Sequence, residues 1–135
     1  MNNPRKTLSI CIPTFNRSRL LHESLASILN SAKGHEDKIE IVISDNASVD
    51  DTESVVARFQ KQYQFIRYHR NVRNVMELNY YVCANLAAGE YIWIFSDDDI
   101  MEANAVEEAL DRIRYNYNLI IANNSLWTND FLSQV

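Results

Sequence analysis

Short apolar runs alternate with stretches of helical spacing along most of the chain, and this alternation restricts the fold more than any other feature. Leu8–Ile12, Ile39–Ser44, Phe65–His69, Tyr91–Phe95 and Leu119–Ala122 read as strands. Of these, Tyr91–Phe95 (YIWIF) reads most plainly as a buried one. Between them, Arg19–Ser31, Thr52–Gln62, Val75–Ala88 and Ala103–Tyr115 repeat apolar residues at helical intervals. Gly34 and Gly89 are placed to end the first and third of these helices. Strands separated by helices call for right-handed crossovers and a mostly parallel sheet with helices on both faces. The expectation is therefore an α/β fold in three α/β/α layers, one domain over residues 1–135. Asn123–Val135 shows no clear period.

Composition removes several functional classes. The 135 residues are 47% hydrophobic and carry 18 acidic against 13 basic groups, a net charge of −5. That balance argues against a nucleic-acid partner, whose footprint is basic. Two cysteines are too few for a zinc cluster or a disulfide framework, and Cys11 and Cys83 both fall in apolar or helical runs. The histidines lack metal-ligand spacing. Only two glycines occur, so neither a G-x-G-x-x-G fingerprint nor a Walker A loop is present. No secretory signal opens the chain, and no apolar run approaches the ~20 residues of a membrane span.

Three polar clusters fall just after strands, where open parallel sheets bind ligands. Pro13-Thr14-Phe15-Asn16-Arg17 leaves the first strand. There Phe15 can pack against a base and Arg17 can pair with phosphate; the same residues also suit an ordinary connecting loop. Asp45-Asn46-Ala47-Ser48, with Asp50 and Asp51, follows the second strand. Asp45 can accept from a base N–H or a ribose hydroxyl, and the cluster equally suits an Asx turn with a helix cap. Asp97-Asp98-Asp99 follows the fourth strand. Three adjacent carboxylates repel unless a cation compensates, and hard oxygens suit Mg²⁺ or Mn²⁺; a solvated acidic turn is the other reading. Arg67, His69, Arg70 and Arg73 form a basic stretch that can sit near a diphosphate, although such runs are more often a solvated edge, the reading favoured here.

The segments LSICIPTFNRSRLLHESLASIL, IEIVISDNASVDDT and AAGEYIWIFSDDDI occur in order, and together they resemble the family 2 glycosyltransferases of the GT-A fold. The variants EIVISDNAS and GEYIWIFSDDD most resemble the abequosyltransferase-like branch, which builds bacterial surface polysaccharide. The likeness runs from about Leu8 to Leu110. It implies a Rossmann-like, nucleotide-sugar-binding half of a GT-A enzyme. Pro13, Thr14, Phe15, Asn16 and Arg17 would line the donor site with Asp45, Asn46, Ser48 and Asp97. Asp98 would be the main metal ligand, with Asp99 beside it, for Mg²⁺ or Mn²⁺. Ser96 stands where the family's acidic motif usually begins, which leaves the division of labour among the three aspartates open. Asn71-Val72-Arg73-Asn74 lacks the glycine common there, and Asn79-Tyr80 suits the abequosyltransferase-like variant.

The resemblance further implies inverting, metal-dependent transfer from a nucleotide-diphospho-sugar to a saccharide or lipid-linked acceptor. A carboxylate base would deprotonate the acceptor. Neither Asp111 nor Asp130 has its context, so the base is expected beyond residue 135. The chain is thus expected to stop before the acceptor-binding part, to bind donor and to turn over poorly. A cytoplasmic protein is implied, with the complete enzyme at the inner face of the membrane, and an apolar face left open would favour a homodimer. A non-catalytic donor-binding or assembly module is the alternative. A receiver-like domain would need a lysine after a late strand, and none follows Lys61. A sugar nucleotidyltransferase would need a glycine-rich basic loop near the start.

Overall fold

A computed structural model describes residues 5–122. Four strands and four helices alternate: β1 (Leu8–Thr14), α1 (Ser18–Ser31), β2 (Ile39–Asp45), α2 (Thr52–Gln60), β3 (Ile66–Arg70), α3 (Leu78–Leu86), β4 (Tyr91–Ile94) and α4 (Ala105–Ile113). The strands form one parallel sheet in the order β3-β2-β1-β4. The chain steps outward from β1 to β3, then crosses back to set β4 on the other side of β1. Right-handed crossovers in opposite directions must lie on opposite faces of the sheet. Accordingly α1 and α2 share one face with α4, and α3 takes the other. The reversal at β1 creates a switch point, with a crevice outside the C-terminal ends of β1 and β4.

Strand alternation builds the two cores. Leu8, Ile10 and Ile12 of β1 and Ile39, Ile41 and Ile43 of β2 pack against Leu21, Leu25 and Ile28 of α1, Val56 of α2 and Val106 of α4. The intervening residues Cys11 and Val42 face Cys83 of α3 in a smaller cluster. Every residue of β2 is buried, as a central strand covered on both faces requires. Both cysteines are free and buried.

A polar network ties down the other end of the sheet. Glu40 is buried, and its Oε1 accepts from Ser9 Oγ at 2.6 Å and from the Ala88 backbone N–H at 2.6 Å. Arg67 donates to Glu40 Oε2 at 3.0 Å and to the Leu86 carbonyl at 2.8 Å. Gly89 donates its N–H to Ser9 Oγ, and a Cβ there would lie 2.6 Å from that same oxygen. Gly89 is therefore required by the close approach to β1. It is not a helix cap, since α3 ends at Leu86 and Ala87 is already extended.

The structure departs from expectation in four further places. Leu119–Ala122 forms no strand, and Leu119 and Ile121 are exposed. An apolar run becomes a strand only with a neighbouring ladder, and β4 pairs with β1 alone among the described residues. For the same reason β4 is an edge strand and is only half covered: Ile92 and Ile94 remain 47% and 43% exposed on the α3 side. Helix α3 begins at Leu78 instead of Val75, because residues 71–77 are drawn into polar contacts described below. Arg67 is no free solvated edge but half of the Glu40 pair. Asn123–Val135, with Asp130, lies outside the described residues.

The Glu40 network carries a pH signature. Burial alone would raise its pKa, but the bonds from Ser9, Ala88 and Arg67 outweigh it and hold the carboxyl below the usual glutamate value. A depressed folded pKa means that the stabilisation is complete above the ordinary value and is lost as pH falls through the lower one. Glu40→Gln is expected to cost about 1 kcal/mol at pH 7. It should also flatten the fall in melting temperature below pH 4.5, the ordinary value for this group. Parallel acid melting curves for the two proteins would contradict this role.

Candidate functional site

The crevice is built outward from the end of β1. Thr14 pairs in register with Asp45 of β2, its carbonyl accepts from Asn46 N–H at 2.9 Å, and its Oγ1 donates to Asp97 Oδ2 at 2.8 Å. One residue thus touches both of the other loops. Asn16 then takes a left-handed backbone (φ 51°), which asparagine tolerates better than most residues. Its N–H donates to Ser48 Oγ and its Oδ1 accepts from Val49 N–H, both at 2.8 Å. Asp50 closes the seam by accepting from Ser18 N–H at the start of α1 and from Thr52 at the start of α2. It caps both helices; the residues at the N-cap positions, Arg17 and Asp51, make no side-chain cap. Desolvation of Asp50 works against its charge, but the bonds from Thr52 and Ser18 prevail and lower its pKa.

The second loop is rigid. Asp45 is fully buried; its Oδ1 accepts from Ser48 N–H at 2.9 Å and its Oδ2 from the Tyr68 hydroxyl at 2.6 Å. Arg70 stands 3.8 Å from the same carboxylate and donates to the Ser48 carbonyl at 2.9 Å. Burial, and then the bond to Asp45, push the Tyr68 phenol above its normal range. Asn46 is a hub. Its Nδ2 donates to Asn74 Oδ1 and the Met76 carbonyl, and its Oδ1 accepts from Val75 N–H and Asn71 Nδ2. Asn71 also reaches Asn79, which bonds Ser44. These contacts replace a first helical turn with the loop 71–77. Ala47 (φ 64°) and Met76 (φ 54°) are left-handed residues without asparagine's tolerance, a strain of about 1 kcal/mol each that the surrounding bonds hold in place.

The third loop brings the aspartates. Asp97 is buried, while Asp98 is 43% exposed at its side chain. Arg17 Nη1 lies 3.0 Å from Asp97 Oδ1 and 3.0 Å from Asp98 Oδ2. Ser96 Oγ donates to the remaining oxygen of Asp98. Asp99 is exposed beside them; partial desolvation, then the charges of Asp98 and Asp97, raise its pKa. Helix α1 holds this loop from beneath, Ser24 donating to the Ser96 carbonyl and Ser27 accepting from Met101 N–H.

Among the described residues no three His, Cys, Asp or Glu side chains form a ready metal cage. Asp98 and Asp99 nonetheless offer hard oxygens at a spot where a cationic group already bridges two carboxylates. That suits an Mg²⁺ or Mn²⁺ ion taking one or two protein ligands and the rest from phosphate and water. A hollow of ≈ 340 Å³ lined by His22, Arg58, Phe59 and Gln62 lies between α1 and α2 and includes none of these groups.

Of the residues expected to form a site, Thr14, Asn16, Arg17, Asp45, Asn46, Ser48, Asp97 and Asp98 belong to one hydrogen-bonded crevice. Pro13 stays in the ladder opposite Ser44, and Phe15 is 41% exposed beside it. Asp45 and Asn46 have their hydrogen-bonding groups turned inward. Tyr68, Ser24 and Ser27 were not expected in the site, and Arg70, Asn71 and Asn74 stood out in the sequence only as part of a basic stretch and of a glycine-free loop. The parallel register that sets Arg70 opposite Asp45, and the recurrence of asparagine through 71–79, were the available signals.

Comparison with known proteins shows the family and the fold. Residues 9–130 match the family described as glycosyl transferase family 2. The abequosyltransferase RfbV of Salmonella typhimurium is 44% identical over 101 residues, 73% of this chain and 30% of that protein. A GalNAc(5)-diNAcBac-PP-undecaprenol beta-1,3-glucosyltransferase of Campylobacter jejuni is 33% identical over 118 residues, 86% of this chain and 37% of that protein. The chain spans about a third of the length of these curated relatives. In fold it is similar to S. aureus TarS, solved also with UDP and UDP-GlcNAc (TM-score 0.74, 19% identity, 91% of this chain and 40% of the TarS 1–349 chain). It is also similar to the Pyrobaculum calidifontis mannosyltransferase PcManGT, solved with GDP-Man and Mn²⁺ (TM-score 0.67, 25% identity, 74% of this chain and 30% of that one). The sheet and its helices are those of the GT-A fold, and the chain belongs to glycosyl transferase family 2.

Proposed function

We propose that this chain is the donor-binding part of a glycosyltransferase that moves a sugar from a nucleotide-diphospho-sugar to a saccharide or lipid-linked acceptor in bacterial surface polysaccharide synthesis. The observation that carries this reading is the meeting of Thr14 and Arg17, Asp45 and Ser48, and Asp97 and Asp98 in one crevice at the switch point. The relatives' printed activities support it, as do the nucleotide sugars bound in the structural neighbours.

In this reading Pro13 and Phe15 offer an apolar surface to the nucleobase. Asp45 and Asn46 serve the donor by holding the wall formed by Ala47 and Ser48 against the nucleoside. Ser48 and Asn16 face the nucleoside, and Asp97, braced by Thr14, accepts from the ribose. Asp98 and Asp99 hold Mg²⁺ or Mn²⁺, which when bound neutralises the charge that gathers on the leaving diphosphate. Arg17, at the edge of the same acidic loop, offers its guanidinium to the diphosphate. Transfer inverts the anomeric centre through a carboxylate base. Asp111 does not fill that role: it lies in α4, paired with Arg114 at 3.4 Å. The reading places the protein in the cytoplasm.

Calorimetry with UDP, CDP, GDP and dTDP, with and without Mn²⁺, tests the proposal. One nucleoside diphosphate is expected to bind, more tightly with metal. Asp98→Asn should abolish the metal dependence, and Asp45→Ala should weaken binding even without metal. Binding of none of the four would refute the donor reading. Metal dependence that survives Asp98→Asn would refute the metal assignment.

Tyr68→Phe separates support from contact. It removes the hydroxyl donor from Asp45 Oδ2, leaving that oxygen only Arg70 at 3.8 Å, and is expected to cost about 1–2 kcal/mol of stability. Nucleoside diphosphate affinity should fall with it, by several-fold. Unchanged melting temperature and affinity would show that the Tyr68–Asp45 bond is dispensable.

A further inference from the structure

All four oxygens of Asp97 and Asp98 have partners. Asp97 gives Oδ2 to Thr14 and Oδ1 to Arg17, and Asp98 gives Oδ1 to Ser96 and Oδ2 to Arg17. A single guanidinium nitrogen thus serves both carboxylates, 3.0 Å from each. It supplies the positive charge that adjacent carboxylates demand. The two links are unequal. The Asp97 side chain is 6% exposed and braced by a second donor, while that of Asp98 is 43% exposed. The backbone of Arg17 is fixed, its carbonyl accepting from Leu21 N–H and the next N–H held by Asp50. Its side chain is 49% exposed and is held only at its tip, by the carboxylates of Asp97 and Asp98.

From this we infer that Arg17 is the built-in counter-cation of the ligand-free site and competes with the divalent ion for Asp98. The competition couples the two ligands. While Arg17 holds Asp98, a metal ion meets an occupied oxygen and a site already part-neutralised. A diphosphate attracts the guanidinium, since Arg pairs with phosphate oxygens more strongly in bidentate geometry than through one shared nitrogen. Arg17 then turns from Asp98 to the phosphate while Asp97 stays bound to Thr14, and Asp98 is released to the metal. Nucleotide and metal therefore each raise the other's affinity through one side chain. This inference rests on the donor reading for its diphosphate half, and its metal half stands apart from it.

The test is Mn²⁺ binding to the nucleotide-free protein, read from the paramagnetic resonance of free Mn²⁺. Arg17→Gln is expected to tighten Mn²⁺ about fivefold, the factor one exposed charge pair supplies. The gain should vanish in Arg17→Gln with Asp98→Asn. Arg17→Lys should return the affinity most of the way to the parent value. Arg19→Gln removes an equal charge two residues away, where Arg19 pairs with Glu23, and should change nothing. The same Arg17→Gln protein should bind the preferred nucleoside diphosphate about tenfold more weakly and lose most of the nucleotide's enhancement of Mn²⁺ binding. Mn²⁺ affinity equal to or below the parent's in Arg17→Gln, or an equal gain in Arg19→Gln, would overturn the inference. Absence of nucleotide binding by the parent protein would sink the donor reading instead, and the Mn²⁺ comparison would still decide the competition.

Discussion

The side chain and carbonyl of Thr14 join loops that follow three different strands, and the site depends on that junction. Thr14 ends β1 between β2 and β4, and its two oxygens reach Asn46 and Asp97. This is possible only because the sheet order reverses at β1. Had β4 been added outside β3, the same motifs would have stood several strands apart, each ~4.8 Å further from the next. The topology follows from crossover handedness and helix placement, so the crevice is a consequence of the fold before any side chain is chosen.

Within that crevice the chain compensates for its lack of glycine. Phosphate-binding loops commonly use glycine to bring backbone N–H groups close to a ligand. Here the sharp backbone turns fall on Asn16, Ala47 and Met76, and hydrogen bonds within and between loops hold each one: Asn16 with Ser48 and Val49, Ala47 between Asp45 and Ser48, Met76 through Asn46 and Asn74. Such loops are pre-organised at the cost of some strain. The groups left exposed at the mouth of these loops are then mainly side chains: Phe15, Arg17, Asp98 and Asp99.

Much of this was legible from residues alone. The order of strands and helices through α4 follows from period and length, and the three polar clusters follow from strands that end in Thr14, Asp45 and the Ile94-Phe95 edge. What was not legible is informative. A run such as YIWIF does not declare whether both of its faces are covered, so Ile92 and Ile94 read as core although α3 lies mainly over β2 and β1. Leu119–Ala122 carries strand composition, but strand formation is a property of a pair. Asp45 and Asn46 look like ligand contacts in sequence because a carboxylate or amide after a strand has no marked partner. Their partners, Tyr68, Asn71 and Asn74, arrive from more than twenty residues away.

The two buried carboxylates of β2 complete the argument. Glu40 near one end and Asp45 at the other are both desolvated on the central strand, where an unpaired charge would be prohibitive. Each is neutralised from β3, by Arg67 at 3.0 Å and by Arg70 at 3.8 Å, and each accepts a backbone N–H from a loop, Ala88 and Ser48. The first bond places the residues entering β4, and hence the register that delivers Asp97 to Thr14. The second shapes the wall opposite. A charge costly to bury in the middle of a sheet thus fixes position at both of its ends: Glu40 adds its bond to the backbone ladder that starts β4, and Asp45 holds the loop that faces Asp97 across Thr14.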